Sequence, residues 1–359
     1  MSGQTPPTRT LLTHEAFIKS SLEEFPTVVF PPLFKEAFAG RHTNLLKAMV
    51  ASWPFPCLPV GSLIKKPNPE TLQALLDGVD MRLTREFHPR RAKLQFLDMR
   101  NMYHAFWNIW DDAYGSDCKA EILDEKQIVK VLLRYAQKQR LKVIVNLSIS
   151  SHFNKSKTYF LNWAKQRTGS LYFCCTKMKI WHPPDQVIRE IFNDFDPEHI
   201  TELELNADWT LFQLAHFAPY FGHMKNLQKV FLAPLHKNTS PINITSATEA
   251  KCVHKIISQF SQFNCLQDTF MKHIHILRDY MNQVLGCLMT PLETLSITQC
   301  LILQRDFDFF SCSPNLFKLK HLEIRGMIVY DLNLMPLRGL LEKVADTLEI
   351  LDFQWCRMK

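Results

Sequence analysis

The sequence predicts an α/β solenoid of leucine-rich repeats, with a parallel sheet on its concave side, helices outside and a helical cap at the N-terminus. Two observations support this prediction: a leucine spacing that recurs along the chain, and amphipathic helical segments between the copies. The clearest copy reads LETLSITQC. It fits L-x-x-L-x-L-x-x-N/C with Leu292, Leu295, Ile297 and Cys300 at the anchors. One strand and one helix cannot bury their apolar faces alone, so such units stack into a horseshoe.

The same spacing recurs on both sides of this copy. The further anchors are Leu94, Leu97 and Met99; Ile200, Leu203 and Leu205; Leu227, Val230 and Leu232; Leu266, Thr269 and Met271; Leu319, Leu322 and Ile324; and Leu348, Leu351 and Phe353. From Ile200 onward most intervals are in the high twenties, with one longer gap after Leu227. Because equivalent residues of stacked repeats align, we expect Leu295, Leu322 and Leu351 in register on adjacent parallel strands, none of them on the solvent face.

Helical segments fill the intervals between the strands. The segment DLNLMPLRGLLEKVADT places its apolar residues at helical spacing on one face, at Leu337, Leu340, Leu341 and Val344. Cys300 and Cys356 follow strands, where the backbone turns. Their expected role is packing with weak thiol hydrogen bonds, not catalysis.

Composition and charge exclude several classes of protein. With 359 residues, 46% of them hydrophobic and 11% aromatic, the chain can bury a sizeable core and is not a disordered protein. A net charge of +7 is modest for this length, and a dedicated nucleic-acid binder would concentrate its charge. The N-terminus lacks the apolar stretch of a secretory signal, and no run is apolar enough to cross a membrane. We therefore expect an intracellular, soluble protein with reduced cysteines.

Residues 1–125 differ in character from the rest. They are rich in prolines and aromatic residues and contain short helical runs such as FKEAFAGRHTNLLKAMVASW. This pattern is typical of a helical cap on a solenoid. We predict a cap over residues 1–90 and a leucine-rich-repeat solenoid over residues 91–359, most regular from residue 200.

Four stretches resemble the PRAME family (preferentially expressed antigen of melanoma): LEEFPTVVFPPLFKEAF, AGRHTNLLKAMVASWPFPCLPVGSL, FHPRRAKLQFLDMRN and PLETLSITQC. The resemblance runs through nearly the whole sequence, which ends before the final repeats of full-length members. It implies a germline protein of cytoplasm and nucleus that recognises substrates for a cullin-2 RING ubiquitin ligase. It also implies repression of transcription and of retinoic-acid signalling. The alternative function is a ligase-independent scaffold or transcriptional corepressor in germline cells.

The resemblance implies that the first 35 residues bind elongin C and cullin-2. An elongin-C box is matched by Leu12 and Ala16, whereas Ser20 stands where its third apolar residue belongs. The cullin box is matched by Phe25, Pro26, Val29 and Leu33. Pro31 and Pro32 are expected to break the helix that this box needs. Packing within the cap is the alternative role of the same residues.

Motifs of catalysis and metal binding are missing from the sequence. It contains no G-x-S-x-G, G-x-x-x-x-G-K-[ST], H-E-x-x-H or G-x-G-x-x-G, and ten glycines are few for phosphate-binding loops. The best metal-ligand set is Cys252, His254, His273 and His275. Residues two apart face away from each other on a helix, and no second close pair of cysteines is present. We expect no enzyme, no cofactor and no metal site.

Two further motifs have a structural and a functional interpretation. A basic stripe recurs every fourth residue at Lys126, Lys130, Arg134 and Lys138. It could contact phosphates, but a solvated face of an amphipathic helix is favoured because no aromatic residues are interleaved. Two L-x-x-L-L strings, at 72–76 and 337–341, resemble receptor-docking motifs, but their leucines lie on the predicted buried faces of helices.

The outward-pointing residues between the strand anchors should form a protein-binding surface on the concave side. They are Glu204, Asn206, Phe231, Phe270, Lys272, Ser296, Thr298, Glu323, Arg325, Asp352 and Gln354. Phe231 and Phe270 are unusual, because an aromatic residue at such a position either contacts a flanking loop or marks a binding hot spot. Both interpretations remain open from the sequence. The predicted function is non-enzymatic recognition of a protein partner.

Overall fold

The computed structural model describes fourteen segments of the chain. They are residues 21–64, 68–84, 92–101, 140–150, 155–181, 185–206, 209–232, 235–236, 246–274, 280–300, 304–326, 328–329, 333–354 and 357–358. The chain divides into two compact units, Met1–Val145 with Phe153–Cys174, and Asn146–His152 with Cys175–Lys359. Among the described residues, no helix is both long and apolar enough to span a membrane.

Unit 1 combines helices with a short parallel sheet. Its elements are α1 (Phe30–Ala39), α2 (Thr43–Ala51), β1 (Cys57–Pro59), α3 (Pro69–Leu83), β2 (Phe96–Asp98), the first residues of β3 (Lys142–Ser150), α4 (Lys155–Gln166) and the first residues of β4 (Tyr172–Trp181). Strand β1 pairs with β2, and β2 pairs with β3, both in parallel. Strand pairing therefore begins at residue 57, within the segment predicted as a helical cap. The domain boundary at residue 90 stays a prediction.

The core of unit 1 is built around Trp53, which is fully buried. Its ring makes edge contacts with Phe30 and Phe34, at centroid distances of 6.2 and 5.3 Å, and its indole N–H donates to the carbonyl of Cys57 at 2.9 Å. Because the indole N–H has a hydrogen-bond partner, burying this large ring leaves no unsatisfied donor in the core.

Pro31 and Pro32 lie at the start of a helix, and no single helix covers the cullin box over residues 25–33, as expected. Helix α1 starts at Phe30, so both prolines lie in its first turn, where backbone N–H groups have no partner within the helix. A short 3₁₀ turn, Thr27–Val29, precedes α1. The prolines therefore define the start of the helix.

Unit 2 alternates strands with helices, as the repeat predicts. Beyond the last residues of β3 and β4, its elements are α5 (Asp185–Asp194), β5 (Glu202–Asn206), β6 (Trp209–Thr210), α6 (Leu211–Phe217), β7 (Lys229–Leu232), β8 (Leu235–His236), α7 (Ser246–Phe260), β9 (Asp268–Lys272), α8 (Met281–Gly286), β10 (Thr294–Thr298), α9 (Gln304–Phe310), β11 (His321–Arg325), β12 (Ile328–Val329), α10 (Met335–Lys343), β13 (Ile350–Gln354) and β14 (Arg357–Met358). The main sheet runs β4–β5–β7–β9–β10–β11–β13, with every neighbouring pair parallel. The α/β leucine-rich-repeat fold is therefore confirmed.

The anchors align as predicted, with one difference in burial. Leu295 stands beside Leu322, and Leu322 stands beside Leu351. Leu295 and Leu322 are fully buried, but Leu351 is 48% exposed, so its predicted burial is wrong. The reason is that β13 has β11 on one side and no described main-sheet strand on the other. An anchor is buried by the repeats that flank it, not by its own repeat alone.

Each repeat is joined to the next by the same backbone contacts. The carbonyl before a strand accepts two successive N–H groups of the following repeat; for example, Glu293 accepts from Lys320 and His321 at 2.8 and 3.0 Å. The residue after the strand is left-handed in three consecutive repeats, at His273, Gln299 and Gly326 (φ 54°, 54° and 63°). Gly326 suits this position because a Cβ there would lie 2.9 Å from the Cγ of Gln299.

Cys300 packs where β10 ends, as predicted. It is buried, and its sulfur accepts a hydrogen bond from the backbone N–H of Ile274 at 3.4 Å. Burial raises the pKa of the Cys300 thiol to about 11, which keeps it protonated and unreactive. Cys356 lies outside the described residues.

The two L-x-x-L-L strings lie on helices and contribute to cores. Leu72, Leu75 and Leu76 are buried in α3. In α10, Leu340 is buried, while Leu337 and Leu341 are half-buried. The packing interpretation is confirmed for the first string, and one leucine of the second is fully buried.

Candidate functional site

The candidate site is the face of the unit 2 sheet that lies opposite the buried anchors, which we call the open face. It is formed by alternate residues of seven parallel strands. They are Lys177, Lys179, Trp181, Glu202, Glu204, Asn206, Lys229, Phe231, Asp268, Phe270, Lys272, Thr294, Ser296, Thr298, His321, Glu323, Arg325, Ile350, Asp352 and Gln354. All of the residues predicted for the concave surface lie here.

The centre of the open face is a stacked pair of aromatic rings. Phe231 on β7 and Phe270 on β9 are neighbours in register, with ring centroids 4.3 Å apart and an interplanar angle of 16°. The ammonium of Lys229 lies 5.2 and 4.9 Å from the two centroids. Both phenylalanines are half-exposed. Part of each ring is covered by the other, and the remainder faces solvent, so the pair is an apolar surface on a polar sheet.

Strands β4 and β5 flank this centre with paired charges. The ammonium of Lys177 lies 2.6 Å from Glu202, and that of Lys179 lies 2.5 Å from Glu204. The amide of Asn206 also donates to Glu204 at 2.5 Å. Burial alone would raise the pKa of Glu204, but the hydrogen bonds from Lys179 and Asn206 lower it overall. These contacts hold the carboxylate charged and fixed in position.

Strands β10, β11 and β13 form a second network on the other side. Ser296 donates to Glu323 at 2.7 Å, and the guanidinium of Arg325 binds Glu323 at 2.9 Å and also binds Asp352. The hydrogen bond with Asp352 raises the pKa of Arg325. Ser296 was predicted to point outward, and it lies in the expected row but is only 5% exposed. Its short side chain lies between the larger Phe270 and Glu323.

A groove of about 510 Å³ crosses the open face from the aromatic centre to β13. Its lining residues are Lys229, Asp268, Phe270, Glu293, Thr294, Lys320, His321, Leu322, Glu323, Arg325, Ile350 and Asp352. At its edge, the ammonium of Lys320 lies 2.7 Å from Glu293. Thr294 of β10 lines it between the ring of Phe270 and the charged residues of β11 and β13.

Sequence reasoning missed some of the open face. Trp181 and Ile350 are 45% and 54% exposed there, and Lys229 contacts both aromatic rings. Trp181 is the last residue of β4, whose sequence YFCCTKMKIW lacks leucine anchors, so the leucine spacing does not identify this strand. The sequence signal that could have found it is the alternation of the polar Lys177 and Lys179 with the apolar Met178 and Ile180.

Comparison with known proteins identifies the family. The family model described as PRAME C-terminal domain matches residues 141–359, and the one described as PRAME N-terminal domain matches residues 6–107. The chain belongs to the PRAME family. It is 39% identical to human PRAME family member 20, over 99% of this chain and 76% of that protein. It is 38% identical to mouse preferentially expressed antigen in melanoma-like protein 7, over 98% of this chain and 73% of that protein.

The ligase-box residues that the PRAME resemblance suggested fall into two groups. Leu12, Ala16 and Ser20 lie outside the described residues. The cullin-box residues Phe25, Pro26, Val29 and Leu33 lie near the start of α1, but they do not share one helix. Phe25, Pro26 and Val29 precede α1 and are exposed or half-exposed. Leu33 lies within α1 and is only 1% exposed, so it packs in the core of unit 1.

The remaining motifs of this PRAME family chain lie partly outside the described residues. The basic stripe from Lys126 to Lys138 lies outside the described residues, as does His275. Cys252 and His254 lie on α7. Within the described part of the chain, no three His, Cys, Asp or Glu residues are grouped so that they could hold a metal ion.

Proposed function

We propose that this PRAME family protein binds a protein partner on its open face and presents it to a cullin-2 RING ubiquitin ligase as the substrate-recognition subunit. The observation that supports partner binding on the open face is the partly exposed Phe231–Phe270 pair at the centre of the sheet. Aromatic residues in the middle of a surface, surrounded by polar groups, are typical of binding hot spots.

The chemistry of the open face supports binding rather than catalysis. Its charged residues on β4, β5, β11 and β13 are held in ion pairs, which fix their positions. The thiols of Cys57 and Cys300 are both buried, and burial raises the pKa of each. We therefore propose a non-enzymatic protein that needs no cofactor.

The ligase half of the proposal rests on the family resemblance. Leu12 and Ala16 would contact elongin C, and Phe25, Pro26 and Val29 would contact cullin-2. Leu33 is left out of this set because the core of unit 1 already covers it. In cytoplasm and nucleus, such a subunit would act as a negative regulator of transcription and of retinoic-acid signalling.

The second candidate is a ligase-independent scaffold or corepressor in germline cells. The burial of Leu33 favours it, because a cullin box without its last anchor is weakened. So does the division of the box between a 3₁₀ turn and α1. The open face would have the same role in both candidates, and only recruitment of the ligase distinguishes them.

Co-purification with elongin C and cullin-2 from cells tests the ligase half. We expect the wild-type chain to capture both proteins, Leu12→Ser to lose them, and Ser20→Leu to capture more. One buried leucine contributes about 1.5–3 kcal/mol, which is tenfold or more in affinity. Phe212→Ser is the matched control, since Phe212 is 58% exposed on α6 in unit 2. If neither wild type nor Ser20→Leu captures elongin C, the scaffold function replaces the ligase function.

A further inference from the structure

We propose that the open face recognises a partner segment in which a large apolar side chain stands next to a carboxylate. This inference rests on the proposed function and specifies the chemistry of the partner. It follows from two features of the aromatic centre: the shape around Phe270, and the charges that are not paired within the sheet.

The surface beside Phe270 can receive an apolar side chain. On one side, the ring of Phe270 stacks on Phe231. On the other side, its neighbour in register is Ser296, which is covered by larger neighbours and only 5% exposed. The next outward residue of β10, Thr294, is also short and lines the groove together with Phe270. The groove therefore reaches the ring of Phe270 on the Thr294 side.

The charged residues away from the aromatic centre are already held in ion pairs, and the Arg325 network keeps one net negative charge because one guanidinium binds two carboxylates. Lys177 and Lys179 are paired with carboxylates of β5, and Arg325 is paired with Glu323 and Asp352. Lys320 is paired with Glu293. A partner charge placed over these pairs would have to displace an existing contact, so they contribute little to the choice of partner.

Lys229 and Lys272, the two lysines next to Phe270, differ from the paired charges elsewhere on the open face. In the described part of the chain, neither Lys229 nor Lys272 forms an ion pair: Lys229 contacts only the two rings, and Lys272 is exposed two residues after Phe270 on β9. Asp268, two residues before Phe270, is likewise unpaired there and lies beside Lys229 in register. Two cations and one anion therefore surround the apolar centre.

This local excess of positive charge selects the partner. A carboxylate next to the apolar side chain would pair with Lys272 or Lys229, while a basic residue there would meet like charges. The apolar group covers the rings and excludes water, which strengthens the neighbouring ion pair. The preferred segment is thus acidic as well as apolar.

Selection from short random peptides displayed on phage tests the inference with the whole purified chain. We expect enriched peptides with Phe, Trp or Leu beside Asp or Glu. Their binding should fall about tenfold or more with Phe270→Ala, and also with Lys272→Glu. Lys255→Glu, at an exposed site on α7, is the matched control and should bind as wild type does. Phe270→Leu keeps an apolar side chain and serves as a second variant if Phe270→Ala folds poorly.

Two other outcomes separate this inference from the proposed function. If the peptides need Phe270 but are basic, or bind Lys272→Glu undiminished, the inference is wrong while binding on the open face stands. If no peptide is enriched, or if binding ignores both Phe231→Ala and Phe270→Ala, the proposed binding surface is wrong and the inference falls with it.

Discussion

The two faces of the same strands place different requirements on their side chains. On β11, Leu322 is fully buried and aligned with the leucines beside it, whereas the next residue, Glu323, lies on the open face in a network of polar contacts. Anchors must be apolar and of the right size, because they fill a packed core. The open face carries no such requirement. Its most apolar feature, the Phe231–Phe270 pair, is therefore better explained by binding than by folding.

The largest expected effect is the difference in stability lost when an ion pair is removed in the interior and when one is removed on the open face. In unit 1, Arg100 binds the wholly buried Asp98, with Nη2–Oδ2 and Nε–Oδ1 distances of 2.6 and 3.0 Å. Arg100→Met removes the cation and leaves that buried carboxylate with the backbone N–H of residue 100 as a donor, so the free energy of unfolding should fall by about 3–5 kcal/mol. Arg325→Met on the open face should lower the free energy of unfolding far less, because that ion pair is exposed to solvent. Urea denaturation of both variants makes the comparison, and equal losses would contradict it.

The next largest effect is the difference in stability lost when two leucine anchors of the same row are truncated. Leu295→Ala should lower the free energy of unfolding by about 2–5 kcal/mol, since it leaves a cavity in a closed core. Leu351→Ala, at the equivalent but half-exposed position, should cost roughly 1 kcal/mol. The measurement is again chemical denaturation. A larger loss for Leu351→Ala would show that flanking repeats are not what buries an anchor.

A smaller effect, of opposite sign, is expected at Thr269. Its side chain is fully buried in the anchor row between Val230 and Leu295, and its hydroxyl has no hydrogen-bond partner among the residues that the structure describes. Thr269→Val keeps the shape and removes the unpaired group, so the protein should be stabilised by about 1 kcal/mol. Thr298→Val, on the open face, is the matched control and should leave the midpoint of thermal unfolding almost unchanged. A destabilised Thr269→Val variant would mean that the hydroxyl makes a contact we have missed.

The smallest effect is the pH dependence of the Glu204 contacts. The pKa of Glu204 is lowered in the folded chain, so its ionised form is stabilised by folding. That contribution is complete above the ordinary glutamate value of 4.5 and is lost as the pH falls through the lower folded value. Glu204→Gln should therefore be less stable than wild type at neutral pH, with the difference shrinking below pH 4.5. A difference that grows on acidification would contradict this assignment.

The repeat anchors were predictable because each position is specified several times along the chain. Even Thr269, a poor match to leucine, falls in register between two good repeats. The burial of Leu351 was mispredicted because the repeat around it fits the leucine spacing, whereas the burial of its side chain depends on a neighbouring strand. Strand β1 was not recognised because three residues give too short a pattern to identify.

The candidate site was predictable in position but not in contacts. Alternation along the strands placed Phe231 and Phe270 outward, and the repeat placed them on neighbouring strands. Neither the alternation nor the repeat predicts that the rings stack or that Lys229 lies beside them, because both contacts depend on side-chain rotamers. Likewise, the pattern marked Ser296 as outward but could not show that larger neighbours cover it.

Site-specific photo-crosslinking tests the central claim, that partners bind on the open face, most directly. A photoreactive phenylalanine analogue replaces Thr298, next to the aromatic pair, or Phe212, on α6, and the full-length chain is irradiated in cells. We predict a discrete crosslinked partner from position 298 that disappears when Phe270→Ala is added, and none of that partner from position 212. A partner that crosslinks from position 212 and not from 298, or one that persists with Phe270→Ala, would contradict the account.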